Sequence, residues 1–384
     1  MASTPGERDL HLETLAVRVG GEPDAETGAV SPPLHLATTY QHAADGLRPD
    51  GLLYQRRDNP VQRRLEAALA ALDGAARALF FGSGVSAATA LLHGLPAGSR
   101  IVVQNDLYAG LRIQMQRYAE RWQLVIEPCD LVDLDAAARA LSQPTNLVWA
   151  ESPSNPLLRV VDLARLARLA HAAGARLLVD GTFATPVLQR PIVLGADIVL
   201  HSATKYMGGH SDVMGGALCF SHDDGLAEAA FQAREFIGLH ASPFAAWMVL
   251  RGLRSLPARM AWHCASADRI ARFLADHPAV TAVHYPGLES HPGHTLARAQ
   301  MSSGGGMLSF QVDGGRTAAL AVAAATRMFI NATSLGGCES LIEHRVSVEG
   351  PDSRTPPDLL RLSVGLEHAD DLIADLDQAL AAAR

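Results

Sequence analysis

The chain carries His201-Ser202-Ala203-Thr204-Lys205-Tyr206-Met207-Gly208-Gly209-His210 directly after the apolar run Ala196-Asp197-Ile198-Val199-Leu200, and this junction decides the fold. The apolar run reads as a buried strand, which delivers a lysine flanked by two hydroxyl side chains and then by glycines. At a strand exit such a lysine can form an imine with an aldehyde, while Ser202 and Thr204 can hydrogen-bond phosphate oxygens and the glycines allow close approach of the main chain. Aldehyde and phosphate together describe pyridoxal 5'-phosphate (PLP), so the junction predicts a PLP site.

Upstream, short apolar runs at 78–81, 100–103, 124–126, 147–149 and 176–179 alternate with helical stretches. Alternation of this kind predicts an α/β fold with a mostly parallel sheet flanked by helices, whose ligands sit at the carboxyl ends of the strands. The motifs fall at those ends. Gly82-Ser83-Gly84 opens a helix at Val85, turning free N–H groups and the helix dipole toward an anion. Tyr108 follows a strand exit, where its ring can lie on a flat cofactor. In Glu151-Ser152-Pro153-Ser154-Asn155-Pro156, Asn155 is a rigidly held donor between prolines. Asp180 ends an apolar run before Gly181-Thr182, so its carboxylate is expected to be buried and to need a cation. A pyridinium nitrogen supplies one.

Residues 1–55 are broken by Gly20-Gly21, Pro23, Gly28, Pro32-Pro33 and Pro49, and predict an extended arm suited to a second subunit. Tyr54 and Arg56, two apart on an extended segment, point to one side, with Arg56 a candidate anion clamp. Pro60 then opens an amphipathic helix with Leu65, Leu69 and Leu72 on its apolar face. Beyond about 250 the pattern changes to long helical stretches at 244–253 and 257–277, a strand at 307–312 after three glycines, and a strand at 360–364. Arg361 on that last strand can present its planar fork to a substrate carboxylate. The expected division is an arm (1–55), a PLP-binding domain (56–250) and a smaller α/β C-terminal domain (251–384).

With 48% hydrophobic residues over 384 positions and a net charge of −8, the chain has the composition of a globular protein without the basic patch that nucleic-acid binding needs. The polar first ten residues do not resemble a signal peptide, and no apolar run approaches the roughly 20 residues of a membrane span. A cytoplasmic protein is expected, with no membrane or nucleic-acid partner. Cys129, Cys219, Cys264 and Cys338 are widely spaced, which predicts buried reduced thiols and no metal centre.

Taken in order, Tyr54-Gln-Arg56-x-x-Asn-Pro60, Gly82-Ser-Gly84, Leu107-Tyr108, Glu151-Ser-Pro-Ser-Asn155-Pro, Asp180-Gly-Thr182, His201-Ser-Ala-Thr-Lys205-Tyr, Ser334-Leu-Gly-Gly-Cys-Glu-Ser-Leu-Ile-Glu-His344 and Arg361-Leu-Ser-Val-Gly-Leu-Glu367 make a specific set. The set resembles the Cys/Met-metabolism family of fold-type-I PLP-dependent enzymes, the group of cystathionine γ-synthase, γ-lyase, β-lyase and methionine γ-lyase. The likeness runs from about Leu12 to the last helix. It implies Lys205 as Schiff-base lysine and proton shuttle, Asp180 as partner of the pyridine nitrogen and Tyr108 as ring-stacking residue. Ser202, Thr204, Thr182 and the backbone at Gly84 and Val85 are implied to hold the cofactor, with Tyr54 and Arg56 reaching in from a neighbouring subunit. Arg361, Asn155 and Ser334 are implied to fix the substrate carboxylate, with Thr333 beside them, and the assembly is implied to be a homotetramer of two active-site dimers.

Departures from the family pattern bear on substrate. Gly181 stands for the usual asparagine, Thr333 for a glutamate of the γ-synthases and γ-lyases, and Ile113 for a common arginine. Gln55 and Val61 also differ, no cysteine follows Tyr108, and the segment after His344 is shorter than usual. The expected activity is γ-elimination from a cystathionine- or homoserine-type L-amino acid, giving a 2-oxo acid and ammonia. Cystathionine β-lyase, γ-synthase or sulfhydrylase chemistry, and a γ-lyase for methionine or canavanine, remain open, as does a non-catalytic PLP-binding regulator.

Overall fold

The computed structural model describes residues 10–46, 50–350 and 353–382; the first nine residues, Pro49 and Pro351 lie outside these. Seven strands build the first sheet: β1 Arg77–Phe81, β2 Arg100–Gln104, β3 Val125–Cys129, β4 Leu147–Glu151, β5 Arg176–Asp180, β6 Ile198–His201 and β7 Gly216–Phe220. Their spatial order is β1-β7-β6-β5-β4-β2-β3, with β7 antiparallel to both neighbours and the other contacts parallel. β4 and β6 are buried along their whole length, as expected of strands covered on both faces.

The chain's junction at Lys205 therefore leaves the sheet at β6, near its centre. One face packs on the helices Gly84–Gly94, Ala109–Trp122 and Gly225–Ala233 through Leu79, Ile101, Trp149, Leu178 and Leu200. The other packs on the helices Pro60–Asp73 and Leu163–Ala172 through alternate residues such as Val148, Val179 and Val199. Leu65, Leu69 and Leu72 are fully buried there, as the helical spacing required.

β7 was not anticipated from the sequence. It runs beneath the turn at Ser83, where a Cβ on Gly216 would lie 2.1 Å from Ser83 O, so only glycine fits. The arm also contains a helix, Leu12–Arg18, whose Ala16 joins the core with Leu12, Leu15 and Val19 packed against it. That spacing of three and four is helical, and the surrounding glycines and prolines masked it. Cys338 is only partly buried, unlike the other three thiols.

The helix Leu256–Asp276 leads to a second sheet of β8 Val280–His284, β9 Met307–Val312, β10 Ile330–Asn331, β11 Leu341–His344 and β12 Leu359–Ser363. The order is β10-β11-β12-β9-β8, and the helices Gly315–Ala325 and Ala369–Ala382 share its core. Antiparallel register sets Glu343 of β11 opposite Arg361 of β12. No described helix is long and apolar enough to cross a membrane.

Candidate active site

A cavity of about 250 Å3 opens at the carboxyl ends of β4, β5 and β6 and is closed from the other side by the 333–335 loop and Arg361. Lys205, Tyr108, Asp180, Thr182, Ser202, Thr204, Gly84, Val85, Asn155, Thr333, Ser334 and Arg361 all line it. Tyr54 and Arg56 do not. They lie on a turn, Arg56 5.2 Å from the Tyr54 ring centroid, and Gln55 between them donates to Ala241 O at 3.0 Å.

Lys205 Nζ donates to Ser334 Oγ at 2.8 Å. Burial brings its pKa down to about 8; Arg361 and, less, Arg345 add to the fall, while Glu343 opposes it. Ser334 has φ 106°, a left-handed value uncommon for a residue with a Cβ. Its hydroxyl is taken by Lys205 and its carbonyl by Arg361 Nη2 at 3.0 Å, so two of the cations of the cavity flank the strained residue.

Asp180 is 7% exposed and accepts the Thr182 N–H at 3.0 Å. Glu151 lies opposite it on β4 and accepts the Tyr108 N–H at 2.9 Å. Burial raises both carboxyl groups, and the charge of Asp180 pushes Glu151 further up. Among the described residues, no lysine or arginine bonds either carboxylate. A buried acidic pair with no lysine or arginine bonded to it on the cavity side suits a ligand that brings a positive nitrogen.

Beside it, Ser83 caps the helix Gly84–Gly94 by accepting the Ser86 N–H at 3.0 Å, and the first N–H groups of that helix are directed at the cavity. A Cβ on Gly84 would stand 3.2 Å from Ser202 Cβ, so glycine keeps this cradle open. The Ser202 hydroxyl makes no bond among the described residues. The Thr204 hydroxyl instead donates to Gly215 O at 3.2 Å and accepts its N–H at 3.1 Å, and the Thr182 hydroxyl accepts the Ser202 N–H at 2.8 Å. Those two order the loop around the cradle. The free anion donors are thus Ser202 and the helix N–H groups, and the whole donor set fits PLP.

The Tyr108 ring lies across Gly110, where a Cβ would come within 2.6 Å of a ring carbon. Arg361 donates from Nη1 to Asn155 Oδ1 at 3.0 Å and from Nη2 to Glu343 Oε2 at 2.6 Å, leaving Nε unpartnered. Asn155, expected as a donor, thus accepts. Glu343 Oε2 is shared with Arg345 Nη1 at 2.7 Å, and Arg345 Nη2 donates to Glu349 Oε1 at 2.9 Å. Against burial, Arg361, Arg345 and then the nearby Thr333 side chain hold the Glu343 carboxyl below its ordinary range.

Glu343 and Arg345, which also borders the cavity, were missed by sequence reasoning. The available signal was a carboxylate inside the buried strand Leu-Ile-Glu-His, but its partner depends on register. Ile113 and Arg112 line a separate cavity of about 300 Å3 with Glu349 and Arg354. Among the described residues no cluster of three or more side chains could hold a metal.

The family model for Cys/Met metabolism PLP-dependent enzymes matches residues 13–381. A protein of Mycobacterium tuberculosis named cystathionine gamma-synthase is 46% identical over 374 residues, covering 96% of each chain. One of Coxiella burnetii named cystathionine beta-lyase is 39% identical over 379 residues, covering 96% of this chain and 98% of that one. The structure of cystathionine gamma synthase from Xanthomonas oryzae pv. oryzae, in complex with aminoacrylate and cysteine, superposes with a TM-score of 0.94 at 39% identity, covering 97% of this chain and 98% of that one.

Proposed function

Since the chain belongs to the Cys/Met-metabolism family of PLP-dependent enzymes, we propose that it expels the γ-substituent of a cystathionine- or homoserine-type L-amino acid. The observation that carries this is one cavity holding a low-pKa lysine, a buried carboxylate pair that no lysine or arginine bonds among the described residues, and an Arg361–Asn155 clamp. The greater identity to γ-synthases than to the β-lyase favours chemistry at Cγ with replacement by a thiol. Where no thiol enters, the same departure ends in a 2-oxo acid and ammonia.

Asp180 would meet the ring nitrogen of the cofactor, while Ser202 and the main chain at Gly84 and Val85 would hold its phosphate, with Thr182 and Thr204 fixing their loop. Bound there, the cofactor supplies a sink for the electron pair left at Cα. Arg361 takes the substrate α-carboxylate on its free edge, steadied by Asn155 and Ser334. Lys205 Nζ anchors the cofactor and then moves protons at Cα and Cβ, both of which must be deprotonated before a γ-substituent can leave. Tyr108 covers the ring and narrows the path for water. Thr333, with Glu343 behind it, borders the distal part of the substrate. Tyr54 and Arg56, on the surface of their own chain, complete the site of a neighbouring copy within a homotetramer.

Two expectations follow from the geometry. Only a neutral amine attacks an aldehyde, so capture of PLP by the apo-protein should quicken about tenfold per pH unit and level off near pH 8. Stopped-flow absorbance would measure it; a rise continuing to about pH 10 would mean that Lys205 is an ordinary amine. Gly110→Ala should displace the Tyr108 ring and lower kcat/KM about tenfold, with the melting temperature little changed, because only the tip of one exposed residue must move.

The reaction itself is tested by mass spectrometry of products from L-cystathionine, L-methionine, L-canavanine and O-acyl-L-homoserines, with and without cysteine. Cystathionine from an acylated homoserine plus cysteine supports replacement, and 2-oxobutanoate supports γ-elimination. Pyruvate with homocysteine from cystathionine would overturn γ-chemistry in favour of a β-lyase.

A further inference from the structure

Behind Asp180, on the face of the first sheet that packs on the helix Pro60–Asp73, lies a buried ion pair that the proposed chemistry leaves unused. Asp73 ends that helix, is wholly buried, and places Oδ2 2.9 Å from Nε2 of His201, which is 1% exposed. His201 directly follows Leu200, the residue in register with Asp180 across β5 and β6, and Leu200 O accepts the Gly181 N–H at 3.0 Å. Side chains alternate along a strand, so Asp180 faces the cavity while the imidazole lies on the opposite face. The imidazole reaches the turn that carries Asp180 because residue 181 is glycine. A Cβ there would stand 3.0 Å from His201 Cε1 and 3.5 Å from Nδ1.

His201 stands between two carboxyl groups. Asp73 comes from the helix and Asp180 from β5, with Glu151 of β4 beyond it. Cys219 of β7 also faces Asp73, and its thiol stays neutral because burial and Asp73 both push it up. Glu66, on the same helix as Asp73, is already committed to Arg234 and the Phe80 N–H. Burial disfavours the imidazolium, but Asp73, and after it Asp180, hold its pKa above the ordinary histidine value. Burial likewise raises Asp180, against which Thr182 and then His201 act.

We propose that Asp73 and His201 are positioning residues for Asp180: the cation held by Asp73 keeps the cofactor-binding carboxylate ionised from behind the sheet. This rests on Asp180 being the partner of the ring nitrogen. Without the cation, Asp180 takes up a proton at higher pH, and a protonated carboxyl offers no charge to that nitrogen. Cofactor affinity is then lost mainly at low pH and returns as pH rises.

The test is the PLP dissociation constant, by equilibrium dialysis, of wild type and variants near pH 6 and near pH 8.5. Asp73→Asn should bind more weakly than wild type near pH 6, by up to about tenfold for each unit that the Asp180 pKa rises, and within about twofold of wild type near pH 8.5. Asp73→Glu keeps the charge and should show the wild-type ratio. His201→Asn removes the cation directly and should repeat the pH-dependent loss, so it carries the test if Asp73→Asn does not fold. Proton NMR of the wild-type holoprotein needs no variant: an imidazolium signal from His201 that persists above the usual histidine pKa is expected, and a neutral ring at pH 6.5 overturns the proposal. So does an equal loss at both pH values, which is what a merely structural role gives, or wild-type affinity at both. Asp180→Asn separates the two readings. Unchanged affinity in that variant removes Asp180 from the cofactor, whereas weakened affinity there with a flat pH ratio in Asp73→Asn removes only the support from behind.

Discussion

Lys205→Ala should reduce turnover by at least roughly a thousandfold and abolish covalent retention of the cofactor. Two functions are lost together, the amine that anchors PLP and the base that moves protons at Cα and Cβ. No other amine lines the cavity: its other cations, Arg345 and Arg361, are guanidiniums bonded to Glu343. Borohydride reduction followed by peptide mass spectrometry gives a readout independent of rate. The pyridoxyl mass should sit on the Lys205 peptide of the wild type and on no peptide of the variant. Ser334 should feel the change as well, because its hydroxyl loses the Nζ donor while its backbone stays at φ 106°. Normal turnover, or the same label on another lysine, would remove Lys205 from the mechanism.

What the sequence made legible follows from how local each constraint is. Lys205, Asp180 and Gly84 were readable because each sits at a strand exit, where a short apolar run announces the buried end of a sheet, and their order along the chain matches the order of the motifs. The family likeness then grouped Asn155, Ser334 and Thr333 with Arg361, and all four line one cavity. Register is not local. Glu343 meets Arg361 only because β11 and β12 pair antiparallel in one of several possible alignments, and Asp73 meets His201 across 128 positions of sequence. Hydroxyl roles were only half legible for a related reason. Thr204 looked equivalent to Ser202, yet the arrival of β7 offers it both bonding groups of Gly215. Tyr54 and Arg56 stand away from their own chain's cavity, a placement that no local pattern announces.

Glu343→Gln should be the most damaging substitution outside the cofactor contacts, although it changes one atom. Glu343 Oε2 accepts from both Arg361 and Arg345, all three side chains are 4% exposed or less, and the two guanidiniums have like charge. Gln keeps the shape but replaces the shared anion with a neutral amide. Breaking a buried ion pair from one side costs about 3–5 kcal/mol, so the melting temperature should fall clearly in calorimetry. Lys205 supplies the functional signature. Glu343 holds the Lys205 pKa up against Arg361 and Arg345, so its neutralisation should move the plateau of PLP capture to a pH below about 8. Arg361 would also lose one of its three fixed contacts, which should raise KM for the amino acid about tenfold or more while kcat falls less. Adding Arg345→Met removes the second unbalanced cation, and the double variant should be more stable than the sum of the two single losses allows. A lower melting temperature with KM and the capture profile unchanged would confine Glu343 to a structural role and leave Arg361 steadied by Asn155 and the Ser334 carbonyl alone.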